Sequence, residues 1–128
     1  MPKATASIRL SDAELDVMDV LWSAAGPIGA IEVAERTPEA RAWSLTTVKT
    51  LLSRLLAKGA VEPAKDGRRF LYSPAIERDA YVGAESRRFV SRLFGGKISP
   101  LIASLADEEV LDQDDVAEIE ALLKRLKS

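Results

Sequence analysis

Residues 43–74, WSLTTVKTLLSRLLAKGAVEPAKDGRRFLYSP, decide the fold, because they read as a single helix followed by a hairpin. Ser44 is a good N-cap, and a helix runs from it to Lys58, where Gly59 supplies the left-handed stop. At helical spacing Leu45, Val48, Leu51, Leu52, Leu55 and Leu56 fall in one broad arc. Thr46, Thr50, Ser53 and Ala57 take the middle of the opposite side, with Thr47, Arg54 and Lys58 on one edge and Lys49 on the other. Two short extended runs, 61–65 and 68–73, then flank Asp66-Gly67, a strong hairpin signal. Pro63 cannot donate to a ladder, so its strand belongs at a sheet edge. Six basic side chains (Lys49, Arg54, Lys58, Lys65, Arg68, Arg69) stand against Glu62 and Asp66, a local net of +4 in a chain of net −2.

Upstream, Ser11-Asp12-Ala13-Glu14 has the form of a capping box, and Leu15, Met18, Leu21 and Trp22 follow as one apolar stripe. Gly26-Pro27 ends that helix. Ile28 fits a very short strand before a second helix over 30–37, with Ile31, Val33 and Ala34 as its apolar positions and Pro38 as its stop. The expected fold is mainly α: a winged helix-turn-helix domain of three helices and a small β-hairpin wing over 1–75, then a helical dimerisation lobe over 76–128. The lobe differs in composition, with 8 basic and 11 acidic side chains. It reads as a helix over 77–94 stopped by Gly95-Gly96, a short helix opened by Ser99-Pro100 and running through Leu105, and a last helix after Asp112. Its apolar residues Phe89, Val90, Leu93, Phe94, Leu101, Leu105, Ile119, Leu123 and Leu126 form stripes too short and separate to bury themselves, which points to pairing with a second copy.

Composition narrows function. The chain of 128 residues holds no histidine and no cysteine, which removes the usual general base, thiol chemistry, disulfides and the commonest metal ligands. No enzyme, no metal and no cofactor is expected. No apolar run is long enough to span a membrane, and the first residues lack the apolar core of a signal peptide, so a cytoplasmic location is expected.

In a winged helix-turn-helix the third helix enters the major groove, where short polar side chains discriminate bases while cations position the protein on phosphates. Thr46, Thr50 and Ser53 in the centre, with lysine and arginine at the flanks, fit that division. Arg68 and Arg69 at the wing tip suit phosphates or a minor-groove edge. Two other readings stay open on the residues alone: an adaptor that binds protein partners, and a repressor released by a small ligand in the C-terminal lobe.

The motifs Ser11-x-x-Glu14-x-x-Val17-Met18-x-x-Leu21-Trp22 and Trp43-Ser44-x-x-Thr47-Val48-x-Thr50-Leu51-x-x-Arg54-Leu55-x-x-Lys58-Gly59 resemble the penicillinase-repressor (BlaI/MecI/CopY) family. The resemblance continues through Asp66-Gly67-Arg68-Arg69-Phe70-x-Tyr72-Ser73-Pro74, Glu85-Ser86, Phe89, Leu93-Phe94-Gly95-Gly96 and Ser99-Pro100-Leu101, and covers residues 7–126. It implies a homodimeric transcriptional repressor on double-stranded operator DNA of inverted-repeat form. Contacts would come from Thr46, Thr47, Lys49, Thr50 and Arg54, from Arg68 and Arg69 on the wing, and from Ser44 capping the recognition helix near a phosphate. Thr46 replaces a lysine frequent in relatives. In the beta-lactam branch the resemblance also implies a membrane sensor that triggers proteolysis in the C-terminal lobe; the matching position is Ser104-Leu105, where those relatives carry Asn-Phe. The copper branch uses a C-terminal cysteine cluster, which this chain lacks.

Overall fold

The computed structural model describes residues 7–128. The elements run α1 (Asp12–Ser23), β1 (Ile28–Gly29), α2 (Ala30–Arg36), a 3-10 turn (Glu39–Arg41), α3 (Leu45–Lys58), β2 (Val61–Asp66), β3 (Arg69–Pro74), α4 (Arg78–Phe94), α5 (Ile98–Asp107) and α6 (Gln113–Lys127). The chain forms two compact units, the first ending at Glu85 and the second covering Ser86–Ser128, so the division falls inside α4.

In the first unit, α1 starts as its sequence demands. Ser11 Oγ accepts from the Glu14 backbone N–H at 3.1 Å, and Glu14 Oε1 accepts from the Ser11 N–H at 2.7 Å. The three strands make an antiparallel sheet in the order β1-β3-β2, which leaves β2 and its Pro63 at the edge. The core gathers Val17, Met18 and Leu21 from α1, Val33 from α2, and Val48, Leu51, Leu52 and Leu55 from α3, sealed by Val61, Ile76 and Tyr81. Trp22 Nε1 donates to the Ile76 carbonyl at 3.0 Å and its ring lies 6.2 Å from that of Tyr81, so the start of α4 is tied to α1. The non-polar stripe of α3 from Val48 to Leu56 thus faces inward, while Leu45 in the first turn is exposed and the threonine side is left in solvent.

Four local expectations shift. The first helix stops at Ser23 rather than at Gly26-Pro27, because Ala24 is already extended. Ile31 is 60% exposed; α2 has only seven residues and turns Val33, with Ala30 and Ala34 beside it, toward the core. The hairpin loop is Gly67-Arg68, one residue later than Asp66-Gly67, because Asp66 pairs with Arg69. Positive φ at Gly67 (65°), with none at Arg68, is the pattern of a type II′ turn with glycine first. In the second unit, α5 begins at Ile98 and ends at Asp107, with Lys97 at the cap position and no side-chain cap bond. Gly95 and Gly96 are both left-handed, so the chain reverses early. Pro100 then sits in the first turn, where its missing N–H would have had no helical partner.

The second unit holds few buried residues. Neither α5 nor α6 contains a buried side chain. Asp112 and Asp115 form a capping box that starts α6, with Asp112 Oδ1 accepting from the Asp115 N–H at 2.8 Å. Of the apolar residues singled out for pairing, Val90 is buried and Phe94, Leu101, Leu105 and Ile119 are half-buried. Phe89, Leu93, Leu123 and Leu126 are exposed, Leu126 to 81%. Ile98, Ile102, Val110, Val116 and Leu122 are exposed apolar residues as well. Among the described residues no helix is long and apolar enough to cross a membrane.

Candidate nucleic-acid interface

The candidate recognition element is α3, and its N-terminus is built by two neighbouring devices. Ser44 Oγ accepts from the Thr47 backbone N–H at 3.1 Å and lies 3.1 Å from Thr47 Oγ1. Just before it, Ala42 adopts a left-handed conformation (φ 49°), which turns the chain out of the 3-10 turn into the helix. Arg41 holds that corner: its Nε donates to Asp16 Oδ2 of α1 at 2.7 Å, and its guanidinium lies 5.3 Å from the Trp43 ring centroid. The start of the helix is therefore anchored to α1 through an arginine that composition alone would count as free charge.

Ser44, Thr46, Thr47, Lys49, Thr50, Ser53 and Arg54 are all exposed on α3, and the structure brings them onto one continuous face. Thr50 Oγ1 donates to the Thr46 carbonyl at 3.0 Å, so that hydroxyl presents an acceptor outward. Lys58, at the last turn, is committed elsewhere. Its ammonium donates to Glu14 Oε1 at 2.5 Å and to the Arg9 carbonyl at 2.6 Å. Burial pushes the Glu14 carboxyl up, but the Lys58 ammonium and the Ser11 donors outweigh it and hold the group below its ordinary value.

Between α3 and the wing lies an open groove of about 410 Å³, bordered by Gly29, Ile31, Glu32, Leu45, Lys49, Ser53, Arg68, Arg69 and Phe70. Arg68 occupies the second position of the hairpin turn and is exposed. On the wing Lys65 lies 5.2 Å from the Phe70 ring centroid, across the β2–β3 register, covering part of an otherwise exposed aromatic. Arg69 behaves differently from Arg68. Its Nη2 makes an ion pair with Glu32 Oε1 of α2, and Glu32 Oε2 accepts from the Gly29 N–H at 3.0 Å. The Glu32 carboxyl is held below its ordinary value by its own backbone N–H first and by Arg69 next. Sequence reasoning identified both wing arginines but missed Glu32 and Arg41, whose partners lie 37 and 25 residues away along the chain.

Comparison with known proteins places this architecture. A family model described as "Penicillinase repressor" matches residues 10–125. The penicillinase repressor of Bacillus licheniformis is 32% identical over 120 residues, which cover 94% of this chain and 93% of that protein. The methicillin resistance regulatory protein MecI of Staphylococcus aureus (strain N315) is 28% identical over 116 residues, 91% of this chain and 94% of that one. Among solved structures, the DNA-binding domain of the repressor BlaI is 40% identical with a TM-score of 0.52, covering 63% of this chain and 94% of that domain. The monomeric form of Bacillus licheniformis BlaI in complex with the blaP half-operator is likewise 40% identical, with a TM-score of 0.50 and the same coverage.

Proposed function

The chain belongs to the penicillinase repressor family, and from that premise we propose that it is a transcriptional repressor that occupies an inverted-repeat operator as a homodimer. The observation that carries the reading is the exposed face of α3, threonines at its centre and Lys49 and Arg54 at its margins, set beside a wing tipped by Arg68. A similar domain has been solved on a half-operator, which supports major-groove binding by α3.

In this mechanism Thr46, Thr47, Thr50 and Ser53 meet base edges. A free hydroxyl both donates and accepts, whereas Thr50, its proton given to the Thr46 carbonyl, can only accept; none reads a base bidentately, and sequence preference rests on the sum of these contacts. Ser44 places the positive end of α3 near a phosphate. Lys49, Arg54 and Arg68 neutralise the backbone on either side, and each contact releases counterions. Repression is steric: a bound dimer covers the operator and excludes transcription.

Two copies pair through the apolar side chains of the second unit. Release follows a proteolytic cut at Ser104-Leu105, signalled by a membrane sensor protease, that severs α6 and the end of α5 from the rest of the pairing surface. Ser104 is exposed but Leu105 is half-buried inside α5, so a protease must unwind that turn to reach the bond.

Arg54→Ala and Arg68→Ala test the interface. Each is expected to weaken operator binding roughly tenfold at moderate salt and to reduce the slope of log affinity against log salt by about one. Fluorescence anisotropy on an operator duplex across a salt series reads both quantities. Unchanged slope and affinity in both variants would remove these arginines from the interface. A wild-type chain with no preference for any sequence from its own promoter region would instead favour the adaptor reading.

A further inference from the structure

We propose that Glu32 is a positioning residue for the wing: with Gly29 it clasps Arg69 and sets the angle of the hairpin, so that Arg68 alone of the wing pair meets the DNA backbone. The inference rests on the DNA-binding reading above and assigns separate work to two adjacent arginines.

The geometry is a three-element junction. Glu32 sits in the first turn of α2, Gly29 is the last residue of β1, and Arg69 opens β3 directly after the wing turn. One Glu32 oxygen accepts from the Gly29 N–H and the other pairs with Arg69 Nη2, so a single carboxylate bridges the helix, the short strand and the wing. Gly29 makes the junction physically possible. A Cβ there would lie 2.8 Å from Glu32 Oε2, 3.0 Å from Arg69 Nη2 and 3.4 Å from the Phe70 carbonyl. Beyond the junction the wing has little else to fix it. Residues 62–70 are all exposed, and β1 meets β3 only at Ile28–Tyr72 and Gly29–Leu71, further from the tip. The clasp acts one residue from the turn, where a small rotation of the hairpin swings Arg68 most.

Electrostatics separates this role from plain phosphate binding. Glu32 is an acid bordering the groove expected to receive a polyanion, and without a compensating role it would only repel DNA. Paired with Arg69, it cancels one wing cation and leaves Arg68 as the charge at the tip. The pair is solvent-accessible, with side chains 56% and 31% exposed, so it contributes little to global stability. Its loss should change DNA binding far more than melting.

Glu32→Gln keeps an acceptor for the Gly29 N–H but removes the charge. Arg69→Gln removes the other half, and Gly29→Ala displaces the clasp without altering any charge. Each single variant is expected to bind an operator duplex about five- to tenfold more weakly with an unchanged salt slope. The Glu32→Gln/Arg69→Gln double should be no weaker than either single, since both break one device. Melting temperatures serve as the folding control. If Glu32→Gln binds more tightly while Arg69→Gln loses about one unit of salt slope, Arg69 is itself a phosphate contact and the proposal is overturned. Unchanged affinity in Glu32→Gln overturns it equally. A readout without DNA keeps the clasp testable if operator binding itself fails: backbone order parameters of residues 65–70 should fall in Glu32→Gln, and unchanged values would dispose of the clasp.

Discussion

Leu123→Glu is expected to convert the protein to a monomer in sedimentation velocity and to weaken binding to a full inverted-repeat operator by at least about 100-fold. The scale follows from tethering. A dimer that has engaged one half-site presents its second reading unit at high effective concentration, which raises overall affinity by roughly 10²–10⁴ without any new contact. Leu123 is 50% exposed on α6, beside Leu122 and near Leu126, in a helix with no buried side chain at all. A single carboxylate placed among such residues in a paired lobe would have to be desolvated without a partner. The same variant should bind a half-operator duplex as the wild type does, because the first unit has its own core of α1–α3 and the sheet. That contrast separates lost pairing from lost folding. An intact dimer in the variant would place the pairing surface elsewhere in the second unit, and weakened half-site binding would point to a damaged winged unit.

The net charge of residues 43–74 overstates what one copy can bring to DNA. Of the six cations there, Lys58 is bound to Glu14 and Arg69 to Glu32. Lys65 lies against Phe70. Lys49, Arg54 and Arg68 are left to face a phosphate backbone, so on the proposed reading one copy should bind weakly and a second copy should supply the rest of the affinity.

What could be read from the sequence was what local rules govern. The Ser11/Glu14 box, the Ser44 cap and the Gly59 stop each depend on residues within a few positions, and all three stand where their pattern puts them. Pro63 marked its strand as an edge because a missing donor is a property of the residue itself. The alternating faces of α3 followed from helical geometry, so Thr46, Thr50 and Ser53 could be named together. What could not be read depends on partners distant in sequence. The wing turn slipped one residue because its register is set by pairing along the whole of β2 and β3, from Val61–Pro74 to Asp66–Arg69. Ile31 looked like core, but a two-turn helix has room to bury only one narrow side. The division of labour between Arg68 and Arg69 hangs on Glu32, and the anchoring of Arg41 hangs on Asp16. Charge counting sees cations; only the fold shows which of them are already engaged.

Lys58→Met should lower stability by roughly 2 kcal/mol at pH 7, below the 3–5 kcal/mol typical of breaking a fully buried pair because the ammonium is partly in solvent. Glu14 is only 2% exposed, and its Oε2 has no partner among the described residues, so removing the ammonium leaves a desolvated carboxylate that, among those residues, keeps only the Ser11 N–H on Oε1. The pH dependence carries the sign. The folded-state pKa of Glu14 lies below the ordinary 4.5, so in the wild type the pair's stabilisation is fully present above 4.5 and is lost as pH falls below it and through the lowered folded value. A protonated Glu14 no longer needs the ammonium, and the gap between wild type and Lys58→Met must therefore narrow toward acid. Urea denaturation at pH 7 and again near pH 4 measures it. A gap that stays constant or widens at low pH would show that Lys58 stabilises through its packing or its bond to the Arg9 carbonyl, not through Glu14. The pair also joins the last turn of α3 to the first turn of α1, so it fixes the far end of α3 while Ser44 and Arg41 fix the near end. Loss of operator affinity in Lys58→Met should accordingly appear with no change in salt slope, the mark of a helix that has lost its footing without losing a phosphate contact.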